Sequence, residues 1–135
     1  AAFFGEKDYQ QYLVIKKMTE SLKLNTRIIC VKTVRDRNGL PLSSRNSYLS
    51  GQEFKIAIKI NKLLKKLPPL IRTKLKINKI LNHTKKVLID HGVDKIDYLT
   101  VLNDDLSVRK KISDKSRIFI AAKIGNTRLI DNIKI

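Results

Sequence analysis

The sequence predicts an α/β protein in which one β–α–β unit precedes two helices and a small antiparallel sheet. Apolar residues 1–4 and β-branched residues 28–31 enclose a stretch with helical spacing, the pattern of two parallel strands joined by a helix. A capping box at residues 50–53 opens a long helical region. Beyond it, Gly125-Asn126 joins two strand-like stretches, which indicates a hairpin.

The β–α–β unit opens on residues 1–4, which are apolar without alternation, as expected of a strand covered on both faces. A helix is predicted over residues 8–22, and its apolar positions are Tyr12, Ile15, Met18 and Leu22. Residues 27–31 form the second, parallel strand, reached by a right-handed crossover. Because two strands and one helix cannot bury a parallel sheet, we expect the natural chain to extend further toward its N-terminus.

The second part begins with a turn-rich loop marked by Asn38-Gly39 and Pro41. A helix follows the capping box, with one apolar face and one lysine face (Ala57, Ile60, Leu64 and Leu67; Lys55, Lys59, Lys62 and Lys66). Pro68-Pro69 is expected to end this helix. A second helix is predicted over residues 70–90, with Ile77, Leu81 and Leu88 toward the core and Gly92 as its C-terminal cap.

Strands are predicted at residues 96–101, 117–124 and 127–130, the last two forming the hairpin. Residues 103–116 are polar and predict a loop with at most one helical turn. The change from the parallel unit to this α+β pattern places a domain boundary near Thr33-Val34. The predicted domains are therefore residues 1–33 and 34–135.

The chain is strongly basic, with 29 Lys and Arg against 12 Asp and Glu and a formal charge of +17. Such a charge makes a nucleic-acid-binding module the alternative function. The basic residues are spread over the whole length, without an Arg-rich block or interleaved aromatic residues. We therefore favour a solvated lysine surface and predict no nucleic-acid partner.

The sequence offers no metal or disulfide framework. Cys30 is the only cysteine and lies in an apolar stretch, so it is expected to be a small buried hydrophobic residue. His83 and His91 lack partners at metal-ligand spacing and are expected to be structural or surface residues. No stretch of 18 apolar residues occurs, so we predict a cytoplasmic protein with no membrane partner.

Two segments have residue types that suit phosphate. Residues 3–11 combine a strand end, a glycine turn and a helix start, where Lys7 supplies a positive charge. Ser43, Ser44 and Arg45 put two hydroxyl groups and a guanidinium side by side. Each segment taken alone also fits an ordinary turn or loop.

Three motifs follow one another along essentially the whole chain. They are Phe4-Gly5-Glu6-Lys7-Asp8-Tyr9-Gln10-Gln11, residues 33–49 with Leu42-Ser43-Ser44-Arg45, and residues 121–132 with Thr127-Arg128-Leu129-Ile130-Asp131-Asn132. Together these motifs resemble the pantothenate synthetase (pantoate–β-alanine ligase) family. The resemblance implies that residues 1–33 are the last β–α–β part of a Rossmann-like nucleotidyl-transferase domain that binds ATP and pantoate. Residues 34–135 would then be the small α+β lid domain.

The resemblance also implies the reaction. The family joins D-pantoate to β-alanine through a pantoyl-adenylate intermediate, with Mg²⁺, and releases pyrophosphate and AMP, a carbon–nitrogen ligase of coenzyme A biosynthesis. Its members commonly form homodimers. The implied ATP-binding residues are Gly5, Glu6, Lys7, Asp8, Val34, Leu42, Ser43, Ser44 and Arg45, and Gln11 is the implied pantoate-binding residue. Lys7 and Arg45 would stabilise transition-state charge.

The chain also departs from the family pattern. Lys32, Pro41 and Leu42 stand where the family commonly has Pro, Ala and Met, positions that concern the hinge and the loop. The family's His-x-Gly-His motif belongs to its N-terminal half and is absent here, so the general acid has no named residue. Neither His83 nor His91 takes its place. We accordingly expect this chain to be the C-terminal half of the enzyme and to be inactive alone.

Overall fold

The computed structural model describes residues 1–73, 76–108 and 112–135, which form two compact units, Ala1–Val34 and Arg35–Ile135. The division lies one residue beyond the boundary predicted from sequence. The roles assigned to the two parts, an ATP- and pantoate-binding remnant and a lid, stay predictions.

The first unit is a β–α–β element. Strand β1 (Ala2–Gly5) leads through a 3₁₀ turn (Glu6–Asp8) into helix α1 (Tyr9–Ser21), and strand β2 (Ile28–Val31) follows. The strands pair in parallel, from Ala2 with Ile28 to Gly5 with Val31. The carboxyl ends of both strands therefore lie side by side, next to the start of α1.

The prediction that β1 is covered on both faces is wrong for this structure. Burial alternates along the strand, and the Phe3 side chain is 67% exposed. Met18 and Leu22 are exposed as well, whereas Tyr9 and Thr19 are the buried residues of α1. A two-stranded sheet offers the helix only a narrow contact surface, which explains why its apolar positions are incompletely covered. Cys30, predicted to be buried, is half-buried for the same reason.

The second unit opens with a loop and a short 3₁₀ helix (Ser44–Tyr48), followed by helix α2 (Gly51–Arg72). The capping box is confirmed: Glu53 N–H donates to Ser50 Oγ at 3.3 Å, and Ser50 N–H donates to Glu53 Oε2 at 2.7 Å. The predicted lysine face is exposed and the predicted apolar face is buried.

The prediction that Pro68-Pro69 ends this helix is wrong. Both prolines lie inside α2, which continues to Arg72. Leu67 and Ile71 lie one turn apart on the same side and are buried. Burial of these side chains favours continuation of the helix across the two residues that cannot donate a backbone hydrogen bond.

Helix α3 spans Ile77–Asp90, so it begins later than the predicted residue 70. Residues 74–75, which fall within the predicted range, lie outside the described residues. Leu81 and Leu88 are buried, and Ile77 packs against the core, as predicted. Gly92 follows the helix with φ of +97°, in agreement with its predicted capping role.

Three antiparallel strands complete the unit in the order β3 (Lys95–Asn103), β4 (Ser116–Ile124) and β5 (Thr127–Lys134). Strand β4 pairs with β5 from Ile124 with Thr127 to Arg117 with Lys134, which confirms the hairpin at Gly125-Asn126. Part of the predicted loop 103–116 lies outside the described residues, at positions 109–111.

Helices α2 and α3 pack against the sheet and share its core. The most deeply buried apolar side chains include Leu64, Ile71, Leu88, Ile118, Ile120 and Ile124. None of the helices in the described ranges combines the length and apolar character that crossing a bilayer requires.

Candidate functional site

The first candidate segment lies where the carboxyl end of β1 meets the start of the helical region. Gly5 has φ of −70° and ψ of 132°, an extended conformation that any residue adopts. The turn itself therefore does not require glycine. A Cβ atom at position 5 would meet nothing within 4 Å, so the backbone here faces open space. An unobstructed backbone beside a helix start suits close approach of an anion.

Glu6 connects this turn with the segment that follows β2. Its Oε2 atom accepts a hydrogen bond from the Thr33 backbone N–H at 3.4 Å. The Thr33 hydroxyl oxygen is buried and makes no hydrogen bond to the described part of the chain. The next residue, Val34, has an exposed side chain. The first unit thus places the Gly5–Asp8 turn and the segment before Val34 at the same end of the sheet.

Lys7, Asp8 and Gln11 occupy the turn and the first turn of α1. Lys7 is half-buried, and the side chains of Asp8 and Gln11 are exposed. Because the 3₁₀ turn and α1 begin on either side of Lys7, the positive end of the helix dipole adds to the charge of the Lys7 ammonium group. The arrangement favours binding of a phosphate at this helix start.

The second candidate segment begins with a tight turn after Arg35. Asp36 Oδ1 accepts hydrogen bonds from the backbone N–H groups of Asn38 and Leu40, at 2.8 and 2.9 Å. Gly39 adopts φ of +88°, in the left-handed region that favours glycine. Leu40 and Pro41 are buried, which anchors the turn in the core of the second unit.

Leu42 to Arg45 follow directly after this anchor. Ser43 caps the short 3₁₀ helix, and its Oγ accepts a hydrogen bond from the Arg45 N–H at 3.3 Å. A hydroxyl group that accepts one bond still has its own proton to donate. The side chains of Leu42, Ser44 and Arg45 are exposed. Two hydroxyl donors and a guanidinium group therefore lie on one accessible turn.

Arg45 is held against β5. Its Nη1 atom donates to the Arg128 carbonyl oxygen at 3.4 Å. The Arg128 side chain points to another partner, since its Nε donates to Asp97 Oδ2 at 2.7 Å. That hydrogen bond holds the pKa of Asp97 below its usual value, with a smaller contribution from Lys95, and raises the pKa of Arg128.

Sequence reasoning missed an ion pair that anchors the same loop. Arg35 donates to Asp131 through Nη1 at 2.8 Å and through Nη2 at 2.9 Å. Arg35 and Asp131 are 96 positions apart, so spacing along the sequence gives no indication of the pair. The sequence gives one indication of a buried charge: Asp131 directly follows the apolar pair Leu129-Ile130.

Other features of the chain do not contribute to either segment. A pocket lined by Lys16, Thr19, Glu20, Thr26, Arg27 and Ile28 lies beside the amino end of β2, opposite the end where Gly5 lies. His83 and His91 are exposed, as expected of surface residues. In the described part of the chain, His, Cys, Asp and Glu side chains form no group of three or more suited to a metal ion.

The fold and the two segments define a class, that of α/β proteins with phosphate-binding residue types at a strand–helix turn and on a Ser-Ser-Arg loop. The family model for Pantoate-beta-alanine ligase matches residues 1–134. The chain therefore belongs to the pantoate–β-alanine ligase family, which confirms the predicted resemblance.

Individual relatives agree with this assignment. Pantothenate synthetase from Bradyrhizobium sp. is 40% identical over 136 residues, which is 99% of this chain and 48% of the relative. Pantothenate synthetase from Buchnera aphidicola is 43% identical over 141 residues, again 99% of this chain and 48% of the relative. The chain thus spans about half the length of the curated relatives that it matches.

Solved structures agree as well. Pantothenate synthetase from Thermus thermophilus matches with a TM-score of 0.88 and 32% identity, covering 98% of this chain and 49% of the other. Pantoate-beta-alanine ligase from Francisella tularensis, complexed with β,γ-ATP and β-alanine, matches with a TM-score of 0.71 and 34% identity, covering 98% and 42%. These similarities confirm the predicted fold, a parallel β–α–β part followed by helices and an antiparallel sheet.

Proposed function

We propose that this chain forms part of an ATP-dependent ligase that condenses D-pantoate with β-alanine. The observation that carries the proposal is the family match, which runs over residues 1–134 and so includes both candidate segments. The complex of the Francisella relative with β,γ-ATP and β-alanine supports the same substrates. The family assignment gives no support to the nucleic-acid-binding alternative.

ATP is proposed to contact Gly5–Asp8 through its phosphates. The open backbone at Gly5, the start of α1 and the half-buried Lys7 supply N–H donors and one positive charge. Val34, which follows the segment linked to Glu6, is proposed as a further ATP contact. Gln11, exposed in the first turn of α1, would donate and accept hydrogen bonds to pantoate through its amide.

The loop residues Leu42, Ser43, Ser44 and Arg45 are proposed as the second group of ATP contacts. The Ser43 hydroxyl keeps a proton to donate, although its oxygen caps the 3₁₀ helix. The Arg45 guanidinium uses one N–H group on the Arg128 carbonyl at 3.4 Å and has further donors for phosphate oxygens.

The reaction is proposed to take place in two steps. In the first, a pantoate carboxylate oxygen attacks the α-phosphorus, and the bond between that phosphorus and the bridging oxygen breaks to release pyrophosphate. In the second, the β-alanine amine attacks the acyl carbon of pantoyl-adenylate, AMP leaves with the electron pair, and the amine loses its proton. No side-chain nucleophile is required, so positioning and charge stabilisation are what the protein contributes.

Negative charge grows on the phosphate oxygens in the first step. The Lys7 ammonium and the Arg45 guanidinium are proposed to stabilise it. Mg²⁺ would enter with ATP and supply additional charge neutralisation. The exposed Asp8 carboxylate suits such an ion, because Mg²⁺ commonly uses one or two carboxylates together with substrate phosphates. The homodimer and the cytoplasmic location remain predictions.

The proposed function can be tested with a hybrid enzyme. This chain is joined to the half of the Bradyrhizobium pantothenate synthetase that the chain does not match, and the hybrid is compared with the 135-residue chain alone. The hybrid should produce AMP, pyrophosphate and pantothenate in equal amounts from ATP, D-pantoate and β-alanine, measured by mass spectrometry. The intact Bradyrhizobium relative is the positive control. The chain alone should produce none of these products.

A hybrid that unfolds cooperatively but makes neither AMP nor pantothenate would contradict the proposed function. Formation of pantoyl-adenylate by the 135-residue chain alone would contradict the proposal that this half is inactive by itself.

A further inference from the structure

We propose that Asp131, acting through Arg35, is a positioning residue for the loop that carries Ser43, Ser44 and Arg45. The proposal rests on the proposed function, since the loop matters for catalysis only if these residues contact ATP. Asp131 itself is buried and lies in β5, away from solvent, so its role is to orient other residues.

The Asp131 carboxylate is fixed from three directions. Arg35 donates to both of its oxygens, at 2.8 and 2.9 Å, and Asn61 Nδ2 in α2 donates to Oδ2 at 3.2 Å. The Asn132 backbone N–H donates to Oδ1 at 2.8 Å. The side chain of Asp131 is only 7% exposed, against 21% for Arg35. A carboxylate with four donors in a buried position has one defined orientation.

Arg35 transmits this orientation to the turn. Its Nη1 atom also donates to the Gly39 carbonyl oxygen at 3.2 Å, and Nη2 donates to the Asn132 carbonyl oxygen at 3.4 Å. Arg35 and Pro41 additionally form an isolated antiparallel bridge. The turn between them is therefore connected directly to strand β5.

The connection continues from Pro41 to the predicted phosphate-binding residues. Asn46 Nδ2 donates to the Pro41 carbonyl oxygen at 2.9 Å, which closes the loop around Leu42–Arg45. Arg45 contacts the Arg128 carbonyl three positions before Asp131 in the same strand. The loop is thus attached to β5 at two points, and both serines lie between them.

A charged pair orients the loop better than an apolar contact would. Buried ion pairs are frequently no more stabilising than apolar residues of similar volume. A bidentate Arg–Asp pair, however, fixes the relative orientation of the two side chains as well as the distance between them. Replacing the pair by apolar residues should therefore preserve the core and release the loop.

The test compares the 135-residue chain with its Arg35→Met/Asp131→Leu variant by ¹⁵N NMR. The backbone signals of Ser43, Ser44 and Arg45 should shift and show lower heteronuclear NOE values in the variant, while signals of α3 stay in place. Titration with MgATP, followed on the same spectra, should give an apparent Kd about tenfold higher, the loss expected when one charge-assisted hydrogen bond is misaligned.

Leu88→Ala is the matched control, since it removes a buried side chain from α3 without touching the Asp131 contacts. It should lower stability and leave the three loop signals unchanged. If the double variant does not fold, Asn61→Ala is used in its place. Asn61→Ala removes one donor to Asp131, so the same three signals should shift, by less than is expected for the double variant.

Unchanged loop signals in a folded double variant, or in Asn61→Ala, would overturn the positioning role. Absence of any ATP response in the unmodified chain would count against the proposed ATP contacts instead, and the NMR comparison without ATP would still decide the role of Asp131.

Discussion

Gly39 lies so close to Asn61 that a Cβ atom at position 39 would stand 2.6 Å from Asn61 Oδ1 and 2.9 Å from Lys65 Nζ. Gly39 also has φ of +88°, where side chains cause strain. The turn of the Ser-Ser-Arg loop and helix α2 can therefore approach each other only if residue 39 is glycine.

Gly39→Ala should destabilise the second unit by about 1–3 kcal/mol, because strain in the left-handed region adds to the clash with Asn61. Urea unfolding followed by circular dichroism measures the change. Gly51→Ala is the control, since a Cβ there meets nothing within 4 Å and position 51 begins a helix. Equal stability of the two variants would contradict the close approach.

Pro69→Ala should stabilise the chain by about 1–3 kcal/mol, because alanine restores a backbone donor inside a helix where proline is unfavourable. Pro69 is exposed, so the substitution leaves no cavity. Urea unfolding and helical ellipticity provide the measurements. A loss of stability would indicate that α2 ends before this residue. Pro41→Ala, at a buried loop position, should instead destabilise.

Arg128→Gln should raise the pKa of Asp97 toward its ordinary value, because the Arg128 hydrogen bond is the largest cause of its lowering. A carboxylate with a lowered pKa contributes stability above the pKa of the unfolded state and loses it as pH falls through the folded pKa. NMR titration of the Asp97 carboxyl carbon measures the midpoint. Lys95→Gln should raise the pKa of Asp97 by less than Arg128→Gln does. A larger rise with Lys95→Gln would contradict the conclusion that Arg128 is the main cause of the lowered pKa.

Lys7→Ala should slow adenylate formation by about 10²–10³-fold in the hybrid ligase, because one charged donor to the phosphates is lost. The rate is measured as pantoate-dependent exchange of pyrophosphate into ATP. The thermal midpoint should change little, since Lys7 lies in a turn and is only half-buried. The control is Lys17→Ala, at an exposed position of α1, which should leave the rate unchanged. A normal rate with Lys7→Ala would show that Lys7 has no part in adenylate formation.

Local patterns predicted those elements whose stability depends on near neighbours. Ser50 and Glu53 cap α2 through contacts three residues apart, and Gly125-Asn126 is the turn between two strands that are adjacent in sequence. The candidate segments, residues 5–11 and 42–45, came from motifs that are also contiguous. Their structural positions agree with the predicted strand–turn–helix and loop, while their contacts with substrates stay proposals.

What local patterns could not predict depends on partners distant in sequence. Continuation of α2 through Pro68 depends on burial of Ile71, which no neighbouring residue reveals. Exposure of Phe3 depends on how many strands lie beside β1. The Arg35–Asp131 pair joins a loop to a strand 96 positions later, so only the folded chain shows it.

The separation of 96 positions between Arg35 and Asp131 affects when the Ser-Ser-Arg loop can be ordered during translation. A ribosome that has just made Arg35 adds 96 more residues before Asp131 exists, which takes roughly 5–20 s at ordinary elongation rates. Throughout this interval the nascent Ser-Ser-Arg segment lacks its anchor, whereas the hairpin partners emerge almost together. Of the two segments proposed to bind phosphate, the Ser-Ser-Arg loop is therefore the one whose anchor is completed late.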